Sequence, residues 1–193
     1  SSDERGWKFL VIGKANIGQE FMSDVDIKRV EEISLYKYYE NSIERNFLSD
    51  DEVYNISIRK GTLTKEEKDI MNSHATLSYE MLSALPFPKK YSNIMHIAVN
   101  HHEKLNGKGY PRGLSEQEIA LEDRILILAD IFEALSSNDR PYKGVKKLSE
   151  IFKILDFMVK DGEIDKDLLD FFKNSRAFKE YCETELLNEQ LDV

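Results

Sequence analysis

The segment RILILADIFEAL, residues 124–135, constrains the fold more than any other part of the sequence. It is apolar over most of the circumference of a helix, and a helix of that kind is buried at the centre of a protein. Helical periodicity also dominates the rest of the chain, which has only four prolines and nine glycines in 193 residues. The pattern predicts an all-α bundle without strands, and the length fits one domain.

The spacing of apolar residues predicts further helices on both sides of this segment. Thr64 and Glu67 fit a capping box, in which each side chain bonds a free backbone amide at the start of a helix. Ser49 and Asp165 are candidate N-caps. The predicted helices cover residues 24–41, 50–56, 64–84, 89–103, 148–160 and 166–187. The central helix is predicted to end near residue 138. The 64–84 helix is expected to bury one face, which carries Ile70, Met71, His74, Leu77, Met81 and Leu82.

Charge and composition exclude several classes of function. A net charge of −9 argues against a broad basic surface for duplex nucleic acid. No apolar run reaches the roughly 18 residues of a membrane-spanning helix, so no span is expected. The single cysteine, Cys182, cannot form an internal disulfide and indicates a reducing compartment, the cytoplasm. The first residue is not a methionine, so the chain is expected to be a fragment of a longer protein.

Asp130 lies in the middle of the apolar helix, where its neighbours predict burial. An ionised carboxylate is costly in such surroundings unless a metal ion or a basic side chain compensates its charge. Two interpretations stay open from this position alone. Asp130 is a metal ligand, or it forms an ion pair with Arg124 or Arg140.

Three of the four histidines are expected to face inward. His101 and His102 extend the apolar face of the 89–103 helix, and His74 lies on the apolar face of the helix before it. Imidazole suits Fe, Zn, Cu or Ni, and a carboxylate widens the choice to Mn or Mg. Adjacent helical residues point about 100° apart, so the pair suits two centres, or one ligand and one residue that supports a ligand, better than joint chelation of one ion. Glu103 is interpreted as an exposed residue at the helix end.

The segment GKGYPRG, residues 107–113, predicts a loop, since glycine permits backbone angles that other residues avoid. It is either a plain turn or a loop that holds Tyr110 and Arg112 near a metal site. Arg140 and Lys143 follow the central helix. They belong either to a solvated helix end, which suits basic residues, or to a phosphate clamp.

Two motifs, HHEKLNGKGYPRGL and ADIFEALSSNDRPYK, together resemble the HD-GYP family of metal-dependent phosphohydrolases. The stretches RKGTLTKEEKDIMNSH and LPFPK are similar to the same family, so the resemblance covers most of the chain after Asn55. It implies a helical HD-domain-like bundle with two or three divalent metal ions, commonly iron, with manganese, zinc or magnesium as alternatives. It also implies hydrolysis of cyclic di-GMP, a bacterial second messenger.

The resemblance implies a role for each matching residue. The implied metal ligands are His74, His101, His102 and Asp130. The implied substrate-binding residues are Gly109, Tyr110 and Pro111 of the signature loop, with Arg140 and Lys143 at the phosphates. Lys14, in the Ile-Gly-Lys that follows the family's His-Asp dyad, is the candidate catalytic residue. In an intact member, the metals polarise phosphoryl oxygens and lower the pKa of a water that attacks phosphorus.

The sequence departs from the family pattern at the dyad itself. FLVIGKANIG resembles the dyad segment, but Leu10 and Val11 occupy the dyad positions and cannot ligate a metal. Residues 20–58 exceed the usual family length and are interpreted as an insertion in one domain that spans residues 1–193. The helices that normally precede the dyad are largely missing, so the bundle is expected to be truncated at its N-terminal side. Asn106 stands where an aspartate is usual.

The sequence therefore predicts a phosphodiesterase domain for a cyclic dinucleotide, cyclic di-GMP in particular, in bacterial signalling. The degenerate dyad implies impaired catalysis. The alternative is a non-catalytic binding or signalling module that keeps the fold. The expected partners are the cyclic dinucleotide, an upstream sensor or regulatory segment of the same protein, and a second copy in a homodimer.

Overall fold

A computed structural model describes residues 22–137 and 146–192, together with Gly13. The chain divides into two compact units, residues 1–71 and residues 72–193. Several residues with predicted roles lie outside the described residues, namely Leu10, Val11, Lys14, Arg140 and Lys143. The prediction of one domain with an insertion over residues 20–58 stays a prediction.

The first unit contains short helices and a small apolar core. Helix α1 spans Asp24–Ser34 and helix α2 spans Asp50–Ile56. The predicted cap at Ser49 is confirmed, because its side chain and that of Glu52 form a capping box at the start of α2. The buried residues of this core are Met22, Val30 and Leu48, with Ile27, Val53 and Ile56 packed against them.

A β-hairpin corrects the prediction of one helix over residues 24–41 and of a chain without strands. Strand β1, Lys37–Glu40, pairs antiparallel with strand β2, Ile43–Asn46. The two residues between the strands, Asn41 and Ser42, have positive φ angles of 50° and 64°. Positive φ at both central residues is typical of the type I′ turn, whose twist matches that of paired strands. The chain therefore reverses direction here instead of continuing as a helix.

The remaining described elements are helical, and the all-α prediction is confirmed apart from this hairpin. The helices are α3 (Lys65–Asn72), α4 (His74–Ser83), α5 (Ile94–Asn100), α6 (Leu121–Ser136), α7 (Leu148–Lys160), α8 (Lys166–Ser175) and α9 (Lys179–Glu185). Short 3-10 turns lie at Lys89–Tyr91, Glu116–Glu118 and Asn188–Gln190. The predicted capping box at the start of α3 is confirmed by reciprocal hydrogen bonds between Thr64 and Glu67. Each helix of the described residues is too short or too polar to cross a bilayer.

The core of the second unit is built from α6, α7, α8 and α9. Its buried residues are Ile119, Ile127, Leu128, Phe132, Leu148, Ile151, Leu155, Ile164, Leu169 and Cys182. Phe132 of α6 contacts the rings of Phe152, Phe172, Phe178 and Tyr181. Helix α6 is therefore central, as predicted, but it is not buried on all sides, since Ile125 is 50% exposed.

The predicted 64–84 helix is interrupted at Ser73, which separates α3 from α4. Most of its predicted inward face is exposed, with fractions of 73% for Ile70, 51% for Met71, 52% for Leu77 and 73% for Met81. Leu82 is half-buried, and His74 is exposed, which corrects the prediction that it faces inward. Periodicity tells which residues share a face of a helix, and it does not tell whether another element covers that face.

The predicted 166–187 helix is likewise divided in two. Arg176, between α8 and α9, has a left-handed backbone conformation with a φ of 54°. For a residue with a Cβ, that conformation costs roughly 1–2 kcal/mol. The strain marks the point at which the chain turns from one helix into the next.

Arg176→Gly is expected to raise the free energy of unfolding by about 0.5–1 kcal/mol, because relief of the strain exceeds the added entropy of the unfolded chain. Urea denaturation measures the difference. Arg176→Ala removes the same side chain but keeps the strain, so it is the matched control and is expected to give no gain. A glycine variant less stable than the alanine variant would contradict the strain argument.

Candidate metal centre

Three histidines of the second unit converge where one helix begins and another ends. His74 is the first residue of α4, whereas His101 and His102 follow α5, which ends at Asn100. The Nε2 atom of His74 lies 3.1 Å from Nε2 of His101 and 3.1 Å from Nε2 of His102. One ligating atom from each residue lies within 4.8 Å of the other two. The structure thus brings together three of the four residues for which metal binding is predicted.

The two adjacent imidazoles lie close together, with ring centroids 4.0 Å apart. The expectation of two separate centres assumed a continuing helix, whose neighbouring side chains diverge by about 100°. Because α5 ends at Asn100, His101 and His102 lie in the turn that follows, and both rings reach His74. This arrangement suits joint ligation of one ion.

A hydrogen bond fixes the proton of the His101 ring. Nδ1 of His101 lies 2.6 Å from the carbonyl oxygen of Ala98. A carbonyl oxygen only accepts, so Nδ1 carries a proton, and in the neutral ring the lone pair is on Nε2. Metal-binding histidines commonly donate their second N–H in this way, because the bond orients the ring.

The ring of His102 has a carboxylate on its far side. Its Nδ1 atom lies 3.6 Å from Oδ2 of Asp130. Burial lowers the pKa of His102 and the adjacent His101 lowers it further, against the opposing effect of Asp130. The imidazole is therefore neutral at neutral pH, which is the form that binds metal.

The donor set fits a divalent metal ion. Nitrogen ligands bind zinc at about 2.0–2.1 Å, which places two nitrogens of one tetrahedral ion roughly 3.3 Å apart. The two Nε2 separations of 3.1 Å are close to that value. Three imidazoles leave at least one coordination position open, as catalytic metal sites do.

Asp130 does not pair with Arg124. Nη1 of Arg124 lies 2.7 Å from Oδ2 of Asp165, which is confirmed as the N-cap of α8. Asp130 is half-buried rather than fully buried, and its side chain lies beside His102. The Arg124 alternative is therefore wrong, whereas the metal-ligand role of Asp130 stays a prediction. The other candidate partner, Arg140, lies outside the described residues.

The carboxylate of Glu103 is buried, with 1% of the residue exposed, which corrects the prediction of an exposed helix end. Oε1 accepts hydrogen bonds from the amides of Arg112 at 2.7 Å and Gly113 at 3.2 Å. Oε2 accepts from the amide of Leu114 at 2.8 Å. The side chain therefore holds the segment that follows Gly-Tyr-Pro. The sequence signal that could have indicated this role is the position of Glu103 directly after the histidine pair.

Gly109 packs directly on the backbone next to the histidine pair. A Cβ at this position would lie 2.3 Å from the nitrogen of Lys104 and 2.4 Å from Cα of Glu103, well inside van der Waals contact. The amide of Tyr110 donates to the carbonyl oxygen of His102 at 3.2 Å. The loop is therefore seated on this stretch of backbone, and only glycine allows the approach.

The ring of Tyr110 lies beside the histidine cluster, with its centroid 4.8 Å from that of His102. Burial raises the pKa of the Tyr110 phenol, and the charge of Asp130 raises it further. The phenol is therefore protonated at neutral pH and available as a hydrogen-bond donor. Pro111 follows through a cis peptide bond and is exposed.

The side chain of Arg112 lies in a cleft that does not include the three histidines of the cluster. Its Nη2 donates to Oδ1 of Asn100 at 2.7 Å, and Nδ2 of Asn100 donates to Oδ2 of Asp123 at 3.1 Å. Asn100 and Asp123 are both buried. With Tyr91 and His96 these residues line a cleft of about 520 Å³. Sequence reasoning missed this network, because its members come from three separate segments.

The HD domain family matches residues 50–168, which is more than half of the chain. The chain therefore belongs to the HD domain family. HD domains are metal-dependent phosphohydrolases, and the histidine cluster accords with that class. The family predicted from the Gly-Tyr-Pro segment and the histidine pair is confirmed.

Curated relatives narrow the class further. The chain is 43% identical over 98 residues to a cyclic di-GMP phosphodiesterase of Thermotoga maritima, which covers 51% of the chain and 26% of the relative. It is 36% identical over 121 residues to the 3'3'-cGAMP-specific phosphodiesterase 1 of Vibrio cholerae, covering 62% and 27%. It is 40% identical over 89 residues to the cyclic di-GMP phosphodiesterase response regulator RpfG of Xanthomonas campestris, covering 46% and 23%. The matches thus span about a quarter of the length of these relatives.

Proposed function

We propose that this chain is an HD-GYP-type phosphodiesterase domain that acts on a cyclic dinucleotide, cyclic di-GMP first of all, in bacterial signalling. The observation that carries the proposal is the convergence of His74, His101 and His102 beside Tyr110. The names of similar proteins support the substrate class, since they are phosphodiesterases of cyclic di-GMP or 3'3'-cGAMP.

In this proposal the three histidines and Asp130 hold divalent metal ions. Two or three ions are expected, with iron the first choice and manganese, zinc or magnesium as alternatives. A bound metal ion polarises a phosphoryl oxygen and lowers the pKa of a bound water. The neutral ring of His102 supplies a ligand nitrogen without the loss of a further proton, and the bond from Nδ1 of His101 to Ala98 leaves Nε2 of His101 as its ligand atom.

Tyr110 and the loop around it position the ligand. The protonated phenol donates a hydrogen bond to an oxygen of the cyclic dinucleotide, and Gly109 lets the loop approach closely enough for that contact. Pro111 is exposed and is proposed to contact the ligand together with Tyr110. Arg140 and Lys143 are proposed to offset the negative charge of the phosphates, and Lys14 is proposed as the catalytic residue.

Leu10 and Val11 favour a second candidate, a non-catalytic module that binds a cyclic dinucleotide and transmits a signal. These residues stand where the family has an imidazole and a carboxylate, and neither can ligate a metal. The site would then keep ligand binding and lose part of its metal content. Metal content and turnover together separate the two candidates.

The chain is expected to hydrolyse cyclic di-GMP slowly or not at all, because the dyad's two donors are replaced by aliphatic side chains. Metal analysis of the purified protein and chromatography of cyclic di-GMP reaction mixtures test this expectation, with 3'3'-cGAMP as a second substrate. Binding without turnover would favour the signalling module. Rapid turnover with two or more retained ions would contradict the impairment and establish the enzyme.

We also propose that the domain works under an upstream sensor or regulatory segment of the same protein. One of the similar proteins is named as a response regulator, and the relatives extend well beyond the matched parts. A homodimer and a cytoplasmic location are proposed with it. Size-exclusion chromatography with light scattering tests the homodimer.

A further inference from the structure

The loop from Gly109 to Leu114 is held at three consecutive backbone amides by one buried carboxylate. Glu103 accepts from the amides of Arg112, Gly113 and Leu114 at 2.7 to 3.2 Å. A carboxylate has about four acceptor positions and no donor, so it satisfies three converging N–H groups without conflict. Bonds of this kind, between an ionised group and a backbone amide, are stronger than neutral ones.

Both oxygens of the same carboxylate accept hydrogen bonds from the loop, and Glu103 is not part of the histidine cluster. Oε1 receives two amides and Oε2 receives the third. The three ligating nitrogens of the cluster come from His74, His101 and His102. The described contacts of the Glu103 carboxylate are therefore with the loop and not with the histidine cluster.

Two further contacts fix the position of the other end of the loop. Gly109 lies against the backbone of Glu103 and Lys104, and the amide of Tyr110 donates to the carbonyl of His102. These contacts set the register in which the Tyr110 ring meets the His102 ring. The loop is thus attached at both ends, by close packing before Tyr110 and by the carboxylate after it.

We propose that Glu103 is a positioning residue that seats the Gly-Tyr-Pro loop beside the histidine cluster and so places Tyr110 on the cyclic dinucleotide. This inference rests on the proposed function for its ligand. The carboxylate cannot be replaced by an amide of the same size. The NH2 group of glutamine donates, so it would face at least one of the three backbone N–H groups as a second donor.

Glu103→Gln is the test, and Glu118→Gln is its matched control. Glu118 lies in the 3-10 turn that follows the loop, and its exposed carboxylate accepts hydrogen bonds from the amide and the hydroxyl of Ser115. Its replacement by glutamine is the same chemical change away from the loop. Metal content, affinity for cyclic di-GMP by calorimetry, and hydrogen exchange of residues 110–114 are measured for both variants and the parent. Glu103→Gln should keep the metal content, lose protection at Arg112 to Leu114, and bind cyclic di-GMP at least roughly tenfold more weakly, the loss expected for one charged hydrogen bond.

Unchanged exchange and unchanged affinity in Glu103→Gln would overturn the inference, as would a loss of metal from this variant. If the parent binds neither cyclic di-GMP nor 3'3'-cGAMP, the proposed function fails, and hydrogen exchange alone then decides whether Glu103 holds the loop. If Glu103→Gln does not fold, Gly109→Ala is the second test variant. Its Cβ would clash with the backbone of Glu103 and Lys104 and displace the loop before Tyr110. It should reproduce the weaker binding with metal retained, and parent-like affinity would overturn the inference.

Discussion

Replacement of Arg124 by methionine is expected to lower the free energy of unfolding by roughly 1–3 kcal/mol. This range lies between the roughly 1 kcal/mol or less of an exposed ion pair and the roughly 3–5 kcal/mol for loss of one partner from a buried pair. Arg124 bonds the carboxylate of Asp165 at 2.7 Å, and the two side chains are 19% and 18% exposed. The guanidinium also donates to the carbonyl oxygens of Ile119 at 3.0 Å and Glu116 at 2.6 Å. Methionine leaves the partly buried carboxylate of Asp165 without its cation and both carbonyl groups without this donor. Urea denaturation at neutral pH measures the loss.

The same variant should show a weaker dependence of stability on acid. Burial alone would raise the pKa of Asp165, but the amide of Leu168 and the guanidinium of Arg124 outweigh it and the pKa is lowered. Because the folded pKa lies below the unfolded value of about 3.9, the stabilisation is fully present above that value. It is lost as the pH falls through the folded pKa. Removal of Arg124 takes away part of this stabilisation, so the free energy of unfolding should fall less steeply as the pH is lowered.

Two other variants serve as controls for the Arg124 result. Lys166→Met breaks an exposed pair with Asp170 and should cost less than about 1 kcal/mol. Asp130→Asn should also cost little in the metal-free protein, because Arg124 bonds Asp165 instead. If Asp130→Asn proved as damaging as Arg124→Met, the assignment of the ion pair would be wrong.

His102→Ala is expected to reduce metal affinity by at least roughly 100-fold. Loss of a partner that only orients a ligand typically costs 10- to 100-fold, and His102 is proposed as a ligand itself. Its Nε2 lies 3.1 Å from that of His74, and its ring also contacts those of His101 and Tyr110. Metal analysis of purified protein, followed by competition with a chelator, measures the change.

His96→Ala is the matched control for this prediction. His96 is exposed, and its ring contacts Tyr79 rather than the histidine cluster. Its removal should leave metal content unchanged. A His102→Ala variant that retains the parent's metal content would refute the proposed centre, and so would a loss of metal from His96→Ala.

Local features of the fold were predictable from the sequence because they depend on residues close in the chain. The cap at Ser49, the capping box at Thr64 and the N-cap at Asp165 each join residues three positions apart. Helix α7 spans Leu148–Lys160, the range that its apolar spacing predicted. The hairpin was missed because the turn depends on positive φ at Asn41 and Ser42, which the helical spacing of nearby apolar residues obscured.

The candidate site was predictable in its residue types but not in its supporting contacts. The histidine pair and the Gly-Tyr-Pro segment pointed to the residues that the structure brings together. Apolar neighbours correctly placed Asp130 in a central helix, but composition cannot tell which carboxylate Arg124 selects from across the domain. The burial of Glu103 escaped prediction for the same reason, since it depends on the loop folding back over the end of α5.

Lys104 and Asn106, just before the Gly-Tyr-Pro loop, bond the turn after α7, and these bonds have a consequence for the order of folding. Bonds from Glu103 to the loop span 9 to 11 residues, whereas Lys104 bonds Glu163 across 59 residues and Asn106 bonds the Asp161 carbonyl across 55. Closing the longer loops costs roughly 1.5 kcal/mol more in chain entropy. The short-range bonds are therefore expected to form first and the long-range ties later. The shape of the loop is then set locally, and its place on the domain depends on the C-terminal helices.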